Sequence, residues 1–215
     1  LSSTGLTNTS PQLVNKPDDN SAIITWTDNY STIRLQRISA EGNILWTAGG
    51  IEVSDISANL MSPQPKIDDN GQILVQWIRQ TGSFPATNSQ VQVSQFGLDG
   101  TATWPAVAMG PSVGFPMGNW SQDIITDVQG GSFSSWTELA GNNQTGFVRH
   151  IDGDGNLTWT NPVEASLEST HFRVSPQLAV AGDSHSAYVV WNESDASQAN
   201  RGIYGQLINP TGGRQ

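Results

Sequence analysis

Along most of the chain, apolar and polar residues alternate with a period of two. Stretches such as SAIITWTD, STIRLQRIS, GQILVQW, NSQVQVSQF and SAYVVW all place every second side chain on one face. Alternation of this kind predicts half-buried β-strands, and the breaks between runs are filled with Gly, Asp and Asn, the residues that turns use. Helix formers such as Lys and Glu are scarce, whereas Thr, Val, Ile and Trp suit a pleated surface. The pattern therefore predicts an all-β chain with almost no helix.

The runs recur at long range. One copy begins TSPQLVNKPDDNSAIITWTDN and the next MSPQPKIDDNGQILVQWIRQ; a third reads WSQDIITDVQGGSFSSWTEL and a fourth VSPQLAVAGDSHSAYVVWNES. Their anchors are Trp26, Trp77, Trp136 and Trp191, spaced 51, 59 and 55 residues apart. A second set, Trp46, Trp104 and Trp159, follows Gly42, Gly100 and Gly155 by four residues, and Gly212 holds the same place in the last copy. Each copy parses as four short strands: one after the Ser-Pro-Gln start, one running into the first Trp, one with Ile-x-Leu-Gln-Arg alternation, and one containing the second Trp. Four-stranded units at this period describe the blades of a β-propeller, in which large aromatics fill the layers between blades.

The expected architecture is one domain over residues 1–215, with repeats near 10–61, 62–120, 121–174 and 175–215. Residues 1–9 align with a fourth strand and are expected to complete a blade. Either a ring of four closes, or the chain belongs to a longer array. An incomplete blade leaves a free edge, which invites self-association.

The segment HIDGDGNLTW, 150–159, sets Asp152, Asp154 and Asn156 at alternate positions, as a calcium loop does. The resemblance fails beyond them, because Leu157 stands where the turn glycine belongs and Val163 where the bidentate Glu belongs. The sister segments ISAEGNILW, FGLDGTATW and INPTGGRQ share its glycine without its oxygens, so a hairpin turn is the reading and calcium the alternative.

Charge narrows the partners. Nine Lys and Arg against nineteen Asp and Glu give a net charge of −10, which repels phosphate backbones and anionic lipid. Nucleic acid is excluded as a partner, and no apolar run is long enough for membrane insertion as a helix. Zero cysteines rule out disulfides and thiolate metal sites. No phosphate-cradling loop, nucleophile elbow or H-x-x-H pair is present, so no cofactor is expected.

The pattern in TWTDN…IRLQRISAEGNILW, a Trp-x-Asp strand followed by Gln-Arg, a Gly turn and a Trp, resembles the blade repeats of large secreted or surface proteins of bacteria. The resemblance spans all four copies and is weakest in the second, where Arg79 replaces the acid. It implies an extracellular or cell-surface propeller serving in adhesion, glycan recognition or as an accessory module, and it carries no catalytic residue.

Two residues after each first Trp stand Asp28, Arg79, Glu138 and Glu193. Carboxylates converging from several blades could hydrolyse a glycoside as acid and base, which makes Asp28, Glu138 and Glu193 the candidate catalytic set of a carbohydrate-active hydrolase or lyase. Their recurrence in nearly every blade instead favours a structural task. Candidate ligand-binding residues are Phe115 and Trp120 in the irregular exit of the second copy, GPSVGFPMGNW, together with Arg79, because aromatic faces beside amides suit sugar rings. The leading expectation is a non-catalytic recognition or structural module that binds a glycan or a protein partner through its loops.

Overall fold

The computed structural model describes residues 7–83, 86–114, 122–140, 143–182 and 185–215, and every regular element among them is a β-strand. The strands form four antiparallel sheets in chain order. The first contains β1 (Asn8–Lys16), β2 (Ser21–Asp28), β3 (Thr32–Ile38) and β4 (Ile51–Val53). The second contains β5 (Asn59–Ile67), β6 (Ile73–Thr81), β7 (Asn88–Phe96) and β8 (Ala102–Ala108), with β9 (Val113–Gly114) added at β7. In the third are β10 (Gln122–Thr126), β11 (Ser132–Ala140), β12 (Asn143–Ile151) and β13 (Val163–Glu164), and in the fourth β14 (Phe172–Val180), β15 (Ala187–Ser194) and β16 (Arg201–Ile208). The sheets stack face to face and converge on their first strands, β1 on β5, β5 on β10 and β10 on β14. Together these sheets make a β-propeller.

Alternation along the second strand of each blade explains the stacking. On β6, Ile73, Val75 and Trp77 face the first blade and meet Ile23, Ile33 and Leu35, while Leu74 on the opposite face joins Val91, Val93 and the third blade's Trp136 and Ile124. The third seam repeats the rule with Phe133 and Val148 against Val189, Trp191 and Ile208. In each seam the Trp-bearing face of one blade packs on the preceding blade. A strand buried on both faces has no solvated side, which is why β6 and β11 are closed over most of their length.

The turns carrying Gly42, Gly100, Gly155 and Gly212 are four versions of one hairpin, all with φ between 82 and 86°. Glycine adopts that region at little cost. In three blades the turn also receives the second Trp of its predecessor: Trp46 Nε1 donates to Leu98 O at 3.0 Å, Trp104 Nε1 to Gly153 O at 3.2 Å and Trp159 Nε1 to Pro210 O at 2.8 Å. The second tryptophans are therefore latches between consecutive blades. Trp46 and Trp159 lie ahead of the short fourth strands β4 and β13 rather than within them, whereas Trp104 lies in β8.

The Ser-Pro pairs also sit differently from the sequence reading, inside the first strands rather than before them. Ser10, Ser62 and Ser175 have φ of 52, 55 and 56°, and the strand register slips by a bulge at each. A bulge leaves a residue unpaired, so proline, which lacks a donor, is accommodated there. Polar links then tie the inner strands together. Ser62 N donates to Thr27 Oγ1 at 3.1 Å, Gln64 Nε2 to Gln122 O at 3.0 Å, and Leu178 N to Asp123 Oδ2 at 2.9 Å.

Candidate functional site

The acids two residues after each first Trp have local partners. Trp136 Nε1 donates to Glu138 Oε1 at 2.6 Å, and Trp191 Nε1 donates to Glu193 Oε2 at 2.7 Å. In the first blade Arg34 Nε donates to Asp28 Oδ2 at 3.0 Å. Arg79 donates instead to Asp55 at 2.7 Å and to Ser57 Oγ at 2.8 Å, clamping the connection between β4 and β5. The Ser57 hydroxyl and amide, joined by Arg79, hold the Asp55 carboxyl down at about 2.

Glu138 and Glu193 line different cavities. Glu138 faces the seam of the second and third blades among Ile78, Val91, Val113 and Trp136, where burial pushes its carboxyl up against the opposing effect of the indole hydrogen bond. Glu193 lies on the fourth blade, with His171 Nδ1 2.9 Å from its second oxygen. Phe115 and Trp120 fall outside the described residues.

Asp152, Asp154 and Asn156 form a turn. Asp152 Oδ1 accepts the amides of Asp154 at 3.1 Å and Asn156 at 2.8 Å. Asn209 Oδ1 does the same for Thr211 and Gly213 in the fourth blade. Among the described residues no group of three or more acids and histidines is placed to hold a metal ion.

The same turn nevertheless walls a crevice of about 390 Å³ between the second and third blades. Its other walls are the β5–β6 hairpin with Asp68, Asn70 and Gln72, the β10–β11 hairpin with Asp127 and Gly130, and Gln95 from β7. Both hairpins are closed by their aspartate: Asp68 Oδ1 accepts Asn70 N at 2.9 Å and Gln72 N at 2.8 Å, and Asp127 Oδ1 accepts Gln129 N and Gly131 N, both at 2.8 Å. Such side-chain to backbone bonds are why Asp initiates turns.

The remaining oxygens behave differently. Asp127 Oδ2 lies 2.7 Å from His150 Nε2, while His150 Nδ1 lies 2.8 Å from Thr158 Oγ1 and the imidazole leans on Phe133 with ring centres 4.4 Å apart. Asp68 Oδ2 is buried and has no partner. A Cβ placed on Gly130 would stand 3.3 Å from it and 3.0 Å from Asn70 Nδ2, so glycine lets the two hairpins approach closely here. Burial, above all, raises the Asp68 carboxyl, against the two amide bonds, and the negative charges of Asp69 and Asp127 add to the rise. Burial works on Asp127 in the same sense, but the bonds from His150, Gln129 and Gly131 outweigh it and leave that carboxyl below the usual range.

Sequence reasoning named Asp152 and Asp154 but missed Asp68 and Asp127. A signal was present. Asp68 and Asp127 each stand nine residues before the first Trp of their copy, where the other copies have Pro17 and Gly182. An acid shared by two adjacent blades alone marks the seam between them.

No protein-family profile matches the chain, and neither does any curated protein. Solved structures do. The α-L-arabinanase of Penicillium chrysogenum complexed with arabinobiose superposes with a TM-score of 0.60 at 11% identity, over 97% of this chain and 66% of that one. A protein of unknown function from Dyadobacter fermentans gives 0.63 at 8% identity, over 100% and 69%. The GH93 α-L-arabinofuranosidase of Fusarium graminearum, also with arabinobiose, gives 0.59 at 11% identity, over 97% and 65%. At such identities the likeness is one of fold. The chain spans about two thirds of the length of these structures.

Proposed function

We propose that this propeller is an extracellular, non-catalytic recognition module that holds a neutral saccharide in the crevice between its second and third blades. The observation that carries the reading is the unpartnered Asp68 Oδ2, a buried acceptor at the wall of an open polar cavity. A buried oxygen without a donor is costly, and the hydroxyl of a bound sugar supplies the donor. The amides of Asn70, Gln72 and Gln95 line the same cavity and suit further hydroxyls. Asp127, Asp152 and Asp154 make it too acidic for uronic or sulfated sugars. Arabinobiose in two propellers of like fold supports a saccharide as the ligand class.

The test is D68N. Asparagine retains Oδ1 and therefore the turn, while replacing the free acceptor with an amide donor. Expected are saturable binding of neutral oligosaccharides by the wild type, read by tryptophan fluorescence because Trp104 packs beneath the 153–155 turn, and at least a tenfold loss in D68N with the fold unchanged. Equal binding by both proteins would overturn the reading.

One observation favours a second reading. Two carboxyls in one crevice, one pushed up and one held down, are the arrangement of an acid and a base in glycoside hydrolysis. That reading transfers the hydrolase alternative from Asp28, Glu138 and Glu193 to Asp68 and Asp127. Release of reducing ends by the wild type, abolished in D68N, would establish it in place of the binding module.

A further inference from the structure

The acid two residues after the first Trp has a basic partner in two of the three blades that carry it. Arg34 Nε donates to Asp28 Oδ2 at 3.0 Å, and His171 Nδ1 lies 2.9 Å from Glu193 Oε1. Glu138 is the exception. Its hydrogen bond among the described residues is the Trp136 indole on Oε1, which leaves Oε2 without a donor, and no charged side chain offsets the burial of its carboxyl. A carboxylate that is only 8% exposed, with neither a cation nor a second donor, is costly to hold ionised.

Strand alternation sets what surrounds it. Ile78 on β6, with Ser89 and Val91 on β7, faces the third blade opposite Trp136 and Glu138. Together with Pro111 and Val113 these residues line a cavity of about 20 Å³. Ser89 Oγ, in its wall, is buried and has no partner. Gly110 lets the chain pass close to the acid and its indole, since a Cβ there would stand 2.7 Å from the Trp136 ring and 3.1 Å from Glu138 Oε1. Pro111 is exposed, so the cavity reaches the surface on that side.

We infer that this cavity binds the ammonium group of a primary alkylamine, its charge on Glu138 Oε2 and a hydrogen bond on Ser89 Oγ. Size restricts the ligand first. A water needs about 10–15 Å³ on this measure, so the cavity takes one group of that volume, which admits an ammonium and shuts out a guanidinium or a sugar ring. Charge selects next. A water or hydroxyl would fit but would leave the carboxylate uncompensated, whereas an ammonium supplies the opposite charge and three donors. Ile78, Pro111 and Val113 offer apolar surface to the methylenes of such a ligand, and the face of an indole such as Trp136 attracts a cation. A lysine side chain of a partner protein and a free alkylamine present the same chemistry. The cavity shares no residue with the Asp68 crevice, and the inference does not depend on the saccharide reading.

The Trp136 indole N–H, bonded to Glu138, reports occupancy. Its NMR resonance, identified by its shift in E138Q, is followed while butylamine, butanol, Nα-acetyl-lysine methylamide and the Nε-trimethylated form of that lysine derivative are each added to the whole chain. Expected are saturable shifts with the two primary amines, none with butanol, which lacks the charge, and none with the trimethylated form, which keeps the charge but is too large. Affinity for both amines should be weaker by about tenfold or more in E138Q. Tighter binding of the lysine derivative than of butylamine assigns the ammonium to a protein partner and equal binding to a free amine; either supports the proposal. No shift with either amine, an equal response to butanol or to the trimethylated form, or undiminished binding by E138Q would each overturn it. The wild-type comparisons require no variant, and the remaining indole resonances verify that E138Q keeps its fold.

Discussion

Phe133 and Tyr188 hold the same place in consecutive blades, both aromatic, both three residues ahead of a buried Trp and on the opposite face of its strand. Phe133 is fully buried in the core with Trp159, Val189 and Trp191; Tyr188 is half exposed. Nothing local separates them, since each pairs across to a third strand in the same register, Phe133 with His150 and Tyr188 with Leu207. The difference is what lies opposite. A propeller blade has two core faces, and each is a core only if another sheet covers it.

Truncation breaks this comparison most directly. F133A is expected to cost about 3–5 kcal/mol, because a filled seam would lose a large side chain and retain a cavity, whereas Y188A should stay within about 0.5 kcal/mol. Denaturant unfolding of both variants measures it, and equal losses would mean that Tyr188 is packed as closely as Phe133.

The turn glycines sharpen the comparison at a smaller scale. Gly42 and Gly155 have φ of 85 and 83°, yet a Cβ on Gly155 would stand 2.9 Å from the Trp104 ring while one on Gly42 meets nothing. G42A should cost about 1 kcal/mol for the left-handed backbone alone. G155A carries the added overlap and should cost about 2–3 kcal/mol. Similar losses would show that Trp104 yields freely.

The smallest effect concerns Glu138. Its raised pKa means that its contribution to stability is complete below the unfolded-state value and declines as pH rises through the folded-state value. E138Q keeps an oxygen for the Trp136 indole and removes that decline. The melting temperature of E138Q relative to wild type should therefore climb as the pH rises above the ordinary carboxylate range. A difference that is flat with pH would remove burial of the charge as the cause.

Much of this was legible in the chain. Period-two alternation marked the strands, and the paired tryptophans with their glycines marked four units, because these signals act within a few residues of one another. The interblade bonds of Trp46, Trp104 and Trp159 were not readable, although the residues stood out, since their acceptors lie 49 to 52 residues away. Arg149 and Arg173 attracted no notice in sequence, yet Arg149 donates to the Met109, Trp159 and Thr160 carbonyls, and Arg173 to Glu164, Ser166 and Thr145.

The sequence by itself determined the repeat, the faces of each strand and the turns, for all three follow from short-range alternation and from residues that favour particular backbone angles. Only the tertiary structure decided which faces meet. It brought Asp68, Asp127 and His150 from separate hairpins into one crevice, and it left Tyr188, Val190 and Ile203 uncovered where their counterparts are core. Alternation states which side chains travel together; burial depends on a neighbouring blade, and that partner is chosen by packing across the whole molecule.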